Sequence, residues 1–142
     1  HFKKRRNKMK IIGIEHLGIA VSSIEDSAPF WKHILNIPHR STETVEKEKV
    51  TTDIYDTGNG KVELLESTSE SSPIENFLKK RGQGIHHVCF EVDDIRSAIK
   101  ELKENNIRII NDEPTIGAEG YSIVFIHPKS TGGVLVELAE KP

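Results

Sequence analysis

The stretch IEHLGIAVSSIEDS (14–27) returns 71 residues later as IHHVCFEVDDIRSA (85–98). Laid over each other, the two pair Ile14 with Ile85, His16 with His87, Ile19 with Phe90, Val21 with Val92 and Ile24 with Ile95; only one register does so. A second match, KVELLE (61–66) over LVELAE (135–140), pairs Val62 with Val136, Glu63 with Glu137 and Leu64 with Leu138 at a spacing of 74. The small difference between the two spacings belongs in loops. A duplication of this length predicts two similar units packed around a pseudo-twofold axis, with one site made from both halves.

Working outward, Ile12–Val21 alternates and is rich in β-branched residues, so it reads as a strand. Ser22 or Ser23 offers a cap for a helix reaching Leu35, with Ile24, Phe30, Trp31, Ile34 and Leu35 at helical spacing and Pro29 disturbing its first half. Trp31 then belongs to the core. Three β-favouring stretches follow, at about 39–46, 50–55 and 61–66, the last two joined by the turn TGNG (57–60). STSESS (67–72) is a polar linker, and PIENFLKKR (73–81) is a short helix opened by proline.

The pattern then restarts. Residues 85–92 read as a strand, and residues 93–105 as a helix with an acidic cap and with Ile95, Ile99 and Leu102 on one face. Residues 107–110, 121–126 and 134–138 supply three more short strands, with GAEG and PKSTGG as turns. The order βαβββ has appeared twice. The expected fold is α+β: one domain over 10–142, with module one at about 12–68, a linker helix at about 73–81 and module two at about 84–140.

A length of 142 residues suits one core, and 35% hydrophobic with 30% charged residues is a globular balance. No apolar run approaches a membrane span. With 20 Lys and Arg against 22 Asp and Glu, the formal charge of −2 leaves no general footprint for nucleic acid. Neither nucleic acid nor membrane is an expected partner, so an anionic ligand must be met by local charges. The basic start HFKKRRNK precedes Met9 and lacks the apolar stretch of a signal peptide; residues 1–9 read as a solvated extension, non-native in part, with Met9 the natural start. Cys89, inside HVCFEV, reads as a small buried hydrophobe. One cysteine forms no internal disulfide, which fits a cytoplasmic location.

On a strand, Glu63 shares its face with Leu65, and Glu137 with Ala139, while Glu66 and Glu140 fall on the opposite face. An acid among valines and leucines in a core strand is costly unless paired, hydrogen-bonded or coordinated. Singly, His16, Glu63, His87 and Glu137 would each be ordinary hydrogen-bonded or salt-bridged residues. The duplication aligns all four, and together they form the donor set of one divalent metal. Two imidazoles and two carboxylates suit cobalt, manganese, nickel or zinc better than magnesium or calcium. On an octahedral ion they leave two positions open, as a catalytic metal needs. His86 faces away from His87 on a strand and is left out. His127, near the last turn, either touches substrate or lies in solvent.

These residues resemble the vicinal oxygen chelate superfamily (glyoxalases, bleomycin-resistance proteins, dioxygenases), whose paired βαβββ modules close a cupped mixed sheet around one metal. More narrowly, HLGIAV (16–21), VELLE (62–66), SPIENFLKKRGQGIHHVCFEVDDI (72–95) and SIVFIHPKSTGGVLVEL (122–138) resemble methylmalonyl-CoA epimerases, over nearly the whole chain from about residue 10. The resemblance implies a metal, cobalt first, held by His16, His87, Glu137 and position 63, which is glutamine in some epimerases. It also implies a coenzyme A thioester substrate, (R)- and (S)-methylmalonyl-CoA interconverted by α-proton abstraction, and a homodimer. Lys129, Arg81 and Lys79 are unranked candidates for the cofactor's phosphates.

Epimerisation needs a proton acceptor within reach of the α-carbon, ideally one on each face. Related glyoxalases use ligand carboxylates in this role, which makes Glu137 the first base. Some epimerases carry a glutamate in the third strand of module one, where Thr52 stands here with Asp53 next. Threonine cannot replace a carboxylate, so Glu63 is the expected second base and Asp53 the fallback. Three other readings stand beside this one. A glyoxalase I-type lyase would act on a glutathione hemithioacetal, and a substrate panel separates it. An iron extradiol dioxygenase favours two histidines and one carboxylate, so Glu63 argues against it. A metal-poor module that sequesters a small molecule needs no buried acid pair, and metal analysis separates it.

Overall fold

The structure, a computed structural model, describes residues 8–142. The basic stretch at 1–7 lies outside the described residues. The strands are β1 (Ile11–Ala20), β2 (His39–Val45), β3 (Val50–Asp56), β4 (Lys61–Ser67), β5 (Gly84–Val92), β6 (Thr115–Ile116), β7 (Ser122–Ile126) and β8 (Val136–Glu140). The helices are α1 (Ile24–Pro29), α2 (Pro73–Arg81) and α3 (Ile95–Glu104). Among the described residues no helix is long and apolar enough to cross a membrane. The class is the expected one, α+β with mixed sheet and two βαβββ modules. By contacts the chain forms two compact units, residues 16–86 and the segment up to Glu15 together with His87–Pro142.

In the unit of residues 16–86 the strand order is β2-β3-β4-β1. β2, β3 and β4 run antiparallel in sequence, and β4 lies parallel to β1 with Gly18 opposite Glu63 and Ala20 opposite Leu65. Period-two alternation separates two apolar layers. On one face Ala20, Val50 and Leu65 meet Ile74 of α2, with Val45, Phe77 and Leu78 beside them. On the other, Val21, Tyr55 and Leu64 meet Ile24, Ala28 and Trp31. Trp31 is therefore a packing residue, as expected.

The rest of the first expected helix differs. α1 ends at Pro29, and Phe30–Ile34 winds as a π turn in which Leu35 N–H donates to the Phe30 carbonyl at 2.9 Å. Proline has no N–H and its ring crowds the preceding turn, so regular winding fails there. The change of winding throws Phe30, Ile34 and Leu35 out to solvent, where helical spacing had placed them in the core.

The other unit repeats the order as β5-β8-β7-β6. β8 lies parallel to β5 with Cys89 opposite Glu137, and antiparallel to β7 with Phe125 opposite Glu137. Ile95, Ala98 and Ile99 of α3 cover Val92, Val124, Ile126 and Leu138. The strand expected at 107–110 is a single bridge, Ile109 to Ile126, flanked by hydrogen bonds from Ile110 N–H to Phe125 O and from His127 N–H to Arg108 O, both 2.8 Å. Asn111 ends it, because its Oδ1 takes the Phe125 N–H at 3.1 Å that a continuing strand would use. Pairing with β7 resumes only in the two residues of β6.

Candidate metal centre

Within residues 16–86, β1 and β4 place His16 and Glu63 on one face, and His16 Nδ1 lies 3.1 Å from Glu63 Oε2. Both are buried, at 6% and 5% exposure. In the other unit β5 and β8 do the same with His87 and Glu137: Nε2 to Oε1 is 3.1 Å, at 6% and 5% exposure. The edge of Phe125 meets the His87 ring at 5.8 Å between centroids. Each half thus holds one imidazole and one carboxylate in a dry, apolar setting where an unpaired acid would be costly. Imidazole nitrogen beside carboxylate oxygen is a donor set that fits a borderline divalent cation.

Cys89 is fully buried, as expected. His86 points away from this face and meets Phe77 of α2 edge-on at 5.0 Å. His127 does not belong to either pair: its Nδ1 accepts the Lys129 N–H at 3.0 Å and closes the turn Pro128–Ser130. Partial burial, then the charges of Arg108 and Lys129, push its pKa below the ordinary value. Arg81 lies over Phe77 at 5.8 Å; Lys79, Arg81 and Lys129 are all exposed.

Register turns Asp53, the fallback for a second base, away from the Glu63 face. Ile54 lies opposite Glu63, so Thr52 and Ile54 share the Glu63 face while Asp53, opposite Leu64, faces the α1 layer. There its Oδ1 accepts from Thr42 Oγ1 at 2.7 Å and lies 2.8 Å from His39 Nε2, and its Oδ2 accepts from Tyr55 OH at 2.5 Å. Burial, then this hydrogen bond and the carboxylate's charge, raise the Tyr55 pKa well above its ordinary value. Asp53→Ala should cost about 1–3 kcal/mol by leaving the buried Tyr55 hydroxyl without its acceptor, and should leave turnover per folded molecule within about threefold. Thermal melts and assays corrected for folded fraction check this.

One acid escaped the sequence reading. Glu43 on β2 lies opposite Thr52 and so shares the Glu63 face, where it is half-buried beside Val45. The folded strand alternates, with Ser41, Glu43 and Val45 less exposed than Thr42 and Thr44, but the polar run STET carries no such alternation in its sequence.

The family model for the Glyoxalase/Bleomycin resistance protein/Dioxygenase superfamily matches residues 15–125. The chain is 44% identical to the mitochondrial methylmalonyl-CoA epimerase of Dictyostelium discoideum, over 94% of this chain and 81% of that protein. The crystal structure of methylmalonyl-CoA epimerase from Mycobacterium tuberculosis superposes with a TM-score of 0.88 at 31% identity, covering 93% of this chain and 89% of that one. A methylmalonyl-CoA epimerase in complex with methylmalonyl-CoA and NH4+ gives a TM-score of 0.88 at 30% identity, covering 93% and 96%. The chain belongs to the Glyoxalase/Bleomycin resistance protein/Dioxygenase superfamily and, within it, to the methylmalonyl-CoA epimerase family.

Proposed function

We propose that this protein is an isomerase that interconverts (R)- and (S)-methylmalonyl-CoA, with His16, Glu63, His87 and Glu137 holding one divalent ion. The observation that carries the reading is the buried His–Glu pair, present once in each half on equivalent strands. The relatives' activity and the complex with methylmalonyl-CoA support the substrate. Cobalt is the first choice of ion, with manganese, nickel and zinc also suited to this donor set.

When bound, the ion supplies Lewis-acid stabilisation of the charge that develops on the substrate's thioester and carboxylate oxygens. The chain supplies the proton chemistry. Glu137 takes the α-proton, and Glu63, its counterpart in the other half, serves the opposite face of the α-carbon. The apolar neighbours Ile54 and Leu65 near Glu63, and Phe125 and Ala139 near Glu137, keep bulk water from competing for these groups.

The protein works as a homodimer in the cytoplasm on this reading. Ile12 and Ile14, exposed on one face of β1, support pairing of chains, and the buried lone cysteine fits a reducing compartment. The test is an assay of metal-free and cobalt-reconstituted protein with (R)-methylmalonyl-CoA in deuterated water. Racemised product carrying deuterium at the α-carbon is expected only with metal, and light scattering of the same sample should give twice the chain mass. Turnover of a glutathione hemithioacetal without any of the thioester would replace this reading by the lyase.

A further inference from the structure

The first N–H of each module's helix is taken by a carboxylate from far along the chain. Ile24 N–H donates to Glu66 Oε1 at 2.6 Å, and Ile95 N–H donates to Glu140 Oε1 at 2.7 Å. The helices already have local caps. Ser23 Oγ accepts from Asp26 N–H, and Asp94 Oδ1 accepts from Ser97 N–H, both at 3.1 Å. These local bonds leave the first helical N–H without a partner inside its own turn. In both modules the group that fills this place lies on the last strand, three residues beyond the ligand glutamate: Glu66 after Glu63, Glu140 after Glu137.

We infer that Glu66 and Glu140 are positioning residues, each locking the strand that carries a glutamate ligand to the helix that follows the strand carrying its histidine. The inference rests on the metal reading above and deepens it. In residues 16–86, β1 carries His16, leaves the sheet after Ala20 and opens α1 at Ile24. β4 carries Glu63 alongside β1 and ends near Glu66. Val21 N–H donates to Leu65 O at 3.0 Å, and the Ile24 to Glu66 bond follows it, so the ladder and the bond close a ring that includes the His16–Glu63 pair. The unit holding β5 and β8 closes the same ring through His87, Ile95, Glu140 and Glu137.

The ring matters because the ladder's hydrogen bonds do not by themselves choose a register; the buried faces and this bond together do. A slip of one residue would turn Glu63 or Glu137 to the helix face, and a slip of two would carry it roughly 6.6 Å along the strand, away from its histidine. The glutamate meets the helix's first N–H in only one register. Its charge also interacts favourably with the helix N-terminus, so the bond is stronger than a neutral one. Position 66 or 140 placed on the ligand face would not reach the helix at all; the odd spacing of three puts ligand and lock on opposite faces of one strand.

The test is cobalt affinity, measured by titration of metal-free folded protein well below its melting temperature. Glu140→Ala and Glu140→Asp, the second keeping the charge but too short to reach, should weaken cobalt binding by about 10–100-fold, the usual effect of losing an outer partner of a metal site. Glu140→Gln, which keeps an oxygen able to accept the N–H, should stay within about threefold of the parent by the same reasoning. Glu66→Ala should behave as Glu140→Ala does. Hydrogen exchange at the Ile95 amide should quicken in the Ala and Asp variants and not in the Gln variant. Should Glu140→Ala not fold, the Gln and Asp variants still give the contrast. Variants with lowered melting temperature but parental cobalt affinity would reduce both residues to helix caps and overturn the inference. A parent chain that binds no cobalt would overturn the metal reading and this one with it, and that failure shows before any substitution is made.

Discussion

Glu137→Gln should lower kcat by about a thousandfold, within the range expected when a positioned proton acceptor is lost, while leaving the protein folded and its cobalt affinity much less changed. Glutamine is nearly isosteric with glutamate and keeps an oxygen where Oε1 now lies 3.1 Å from His87 Nε2. It cannot take a proton. A residue that acts only in the transition state lowers kcat and kcat/KM together, so KM should move little. The isotope pattern is the sharper measurement. With Glu137 serving one face of the α-carbon and Glu63 the other, Glu137→Gln should abolish inversion in both directions yet let one epimer alone still exchange its α-proton with deuterated water. Glu63→Gln should show the opposite epimer preference. Both variants exchanging both epimers at the parental rate would remove the two glutamates as bases. A fully active Glu63→Gln with an inactive Glu137→Gln would make Glu63 a ligand only. Glu43, half-buried on the same face of β2, would then be the next carboxylate to replace.

What the sequence made legible follows from which interactions are local. Strand periods, the turn TGNG and the proline opening α2 depend on a few neighbouring residues, and α2 runs over Pro73–Arg81 as its pattern predicts. His16, Glu63, His87 and Glu137 stood out in the sequence for a different reason: duplication aligns positions that are far apart in the chain. The features that escaped depend on the relation between one strand and the next. Nothing in RSTETV (40–45) states that Glu43 will lie opposite Thr52; that is a register, fixed only when β2 pairs with β3. The same register turns Asp53 toward Tyr55 and away from Glu63. The segment 107–110 reads as a strand by composition, but Asn111 competes for the N–H that would extend it. Residues 30–35 keep helical spacing, but Pro29 changes the winding and with it the buried face.

One metal ion per chain, not two, is the expected result of elemental analysis on protein loaded with excess cobalt and desalted. Each half carries its own His–Glu pair, at 3.1 Å in both. Two donors from a single half would hold a borderline ion weakly, because four- to six-coordinate ions satisfied largely by water exchange readily. Four donors would hold it through dialysis. His16→Ala and His87→Ala should therefore have the same consequence although they lie in different modules: loss of the bound ion and of turnover, by more than the roughly 10–100-fold that follows loss of an outer partner. The two should also fail to add, since a double variant cannot lose an ion that either single variant has already lost. Two ions per chain, or a His16→Ala variant that keeps the stoichiometry of the parent, would mean that the halves bind separately. The duplication would then have produced two weak sites instead of one strong one. Chelation separates the roles further: the metal-free parent should remain folded, since the apolar layers on α1, α2 and α3 do not pass through the pairs, while its deuterium exchange into the thioester stops and returns on adding cobalt back.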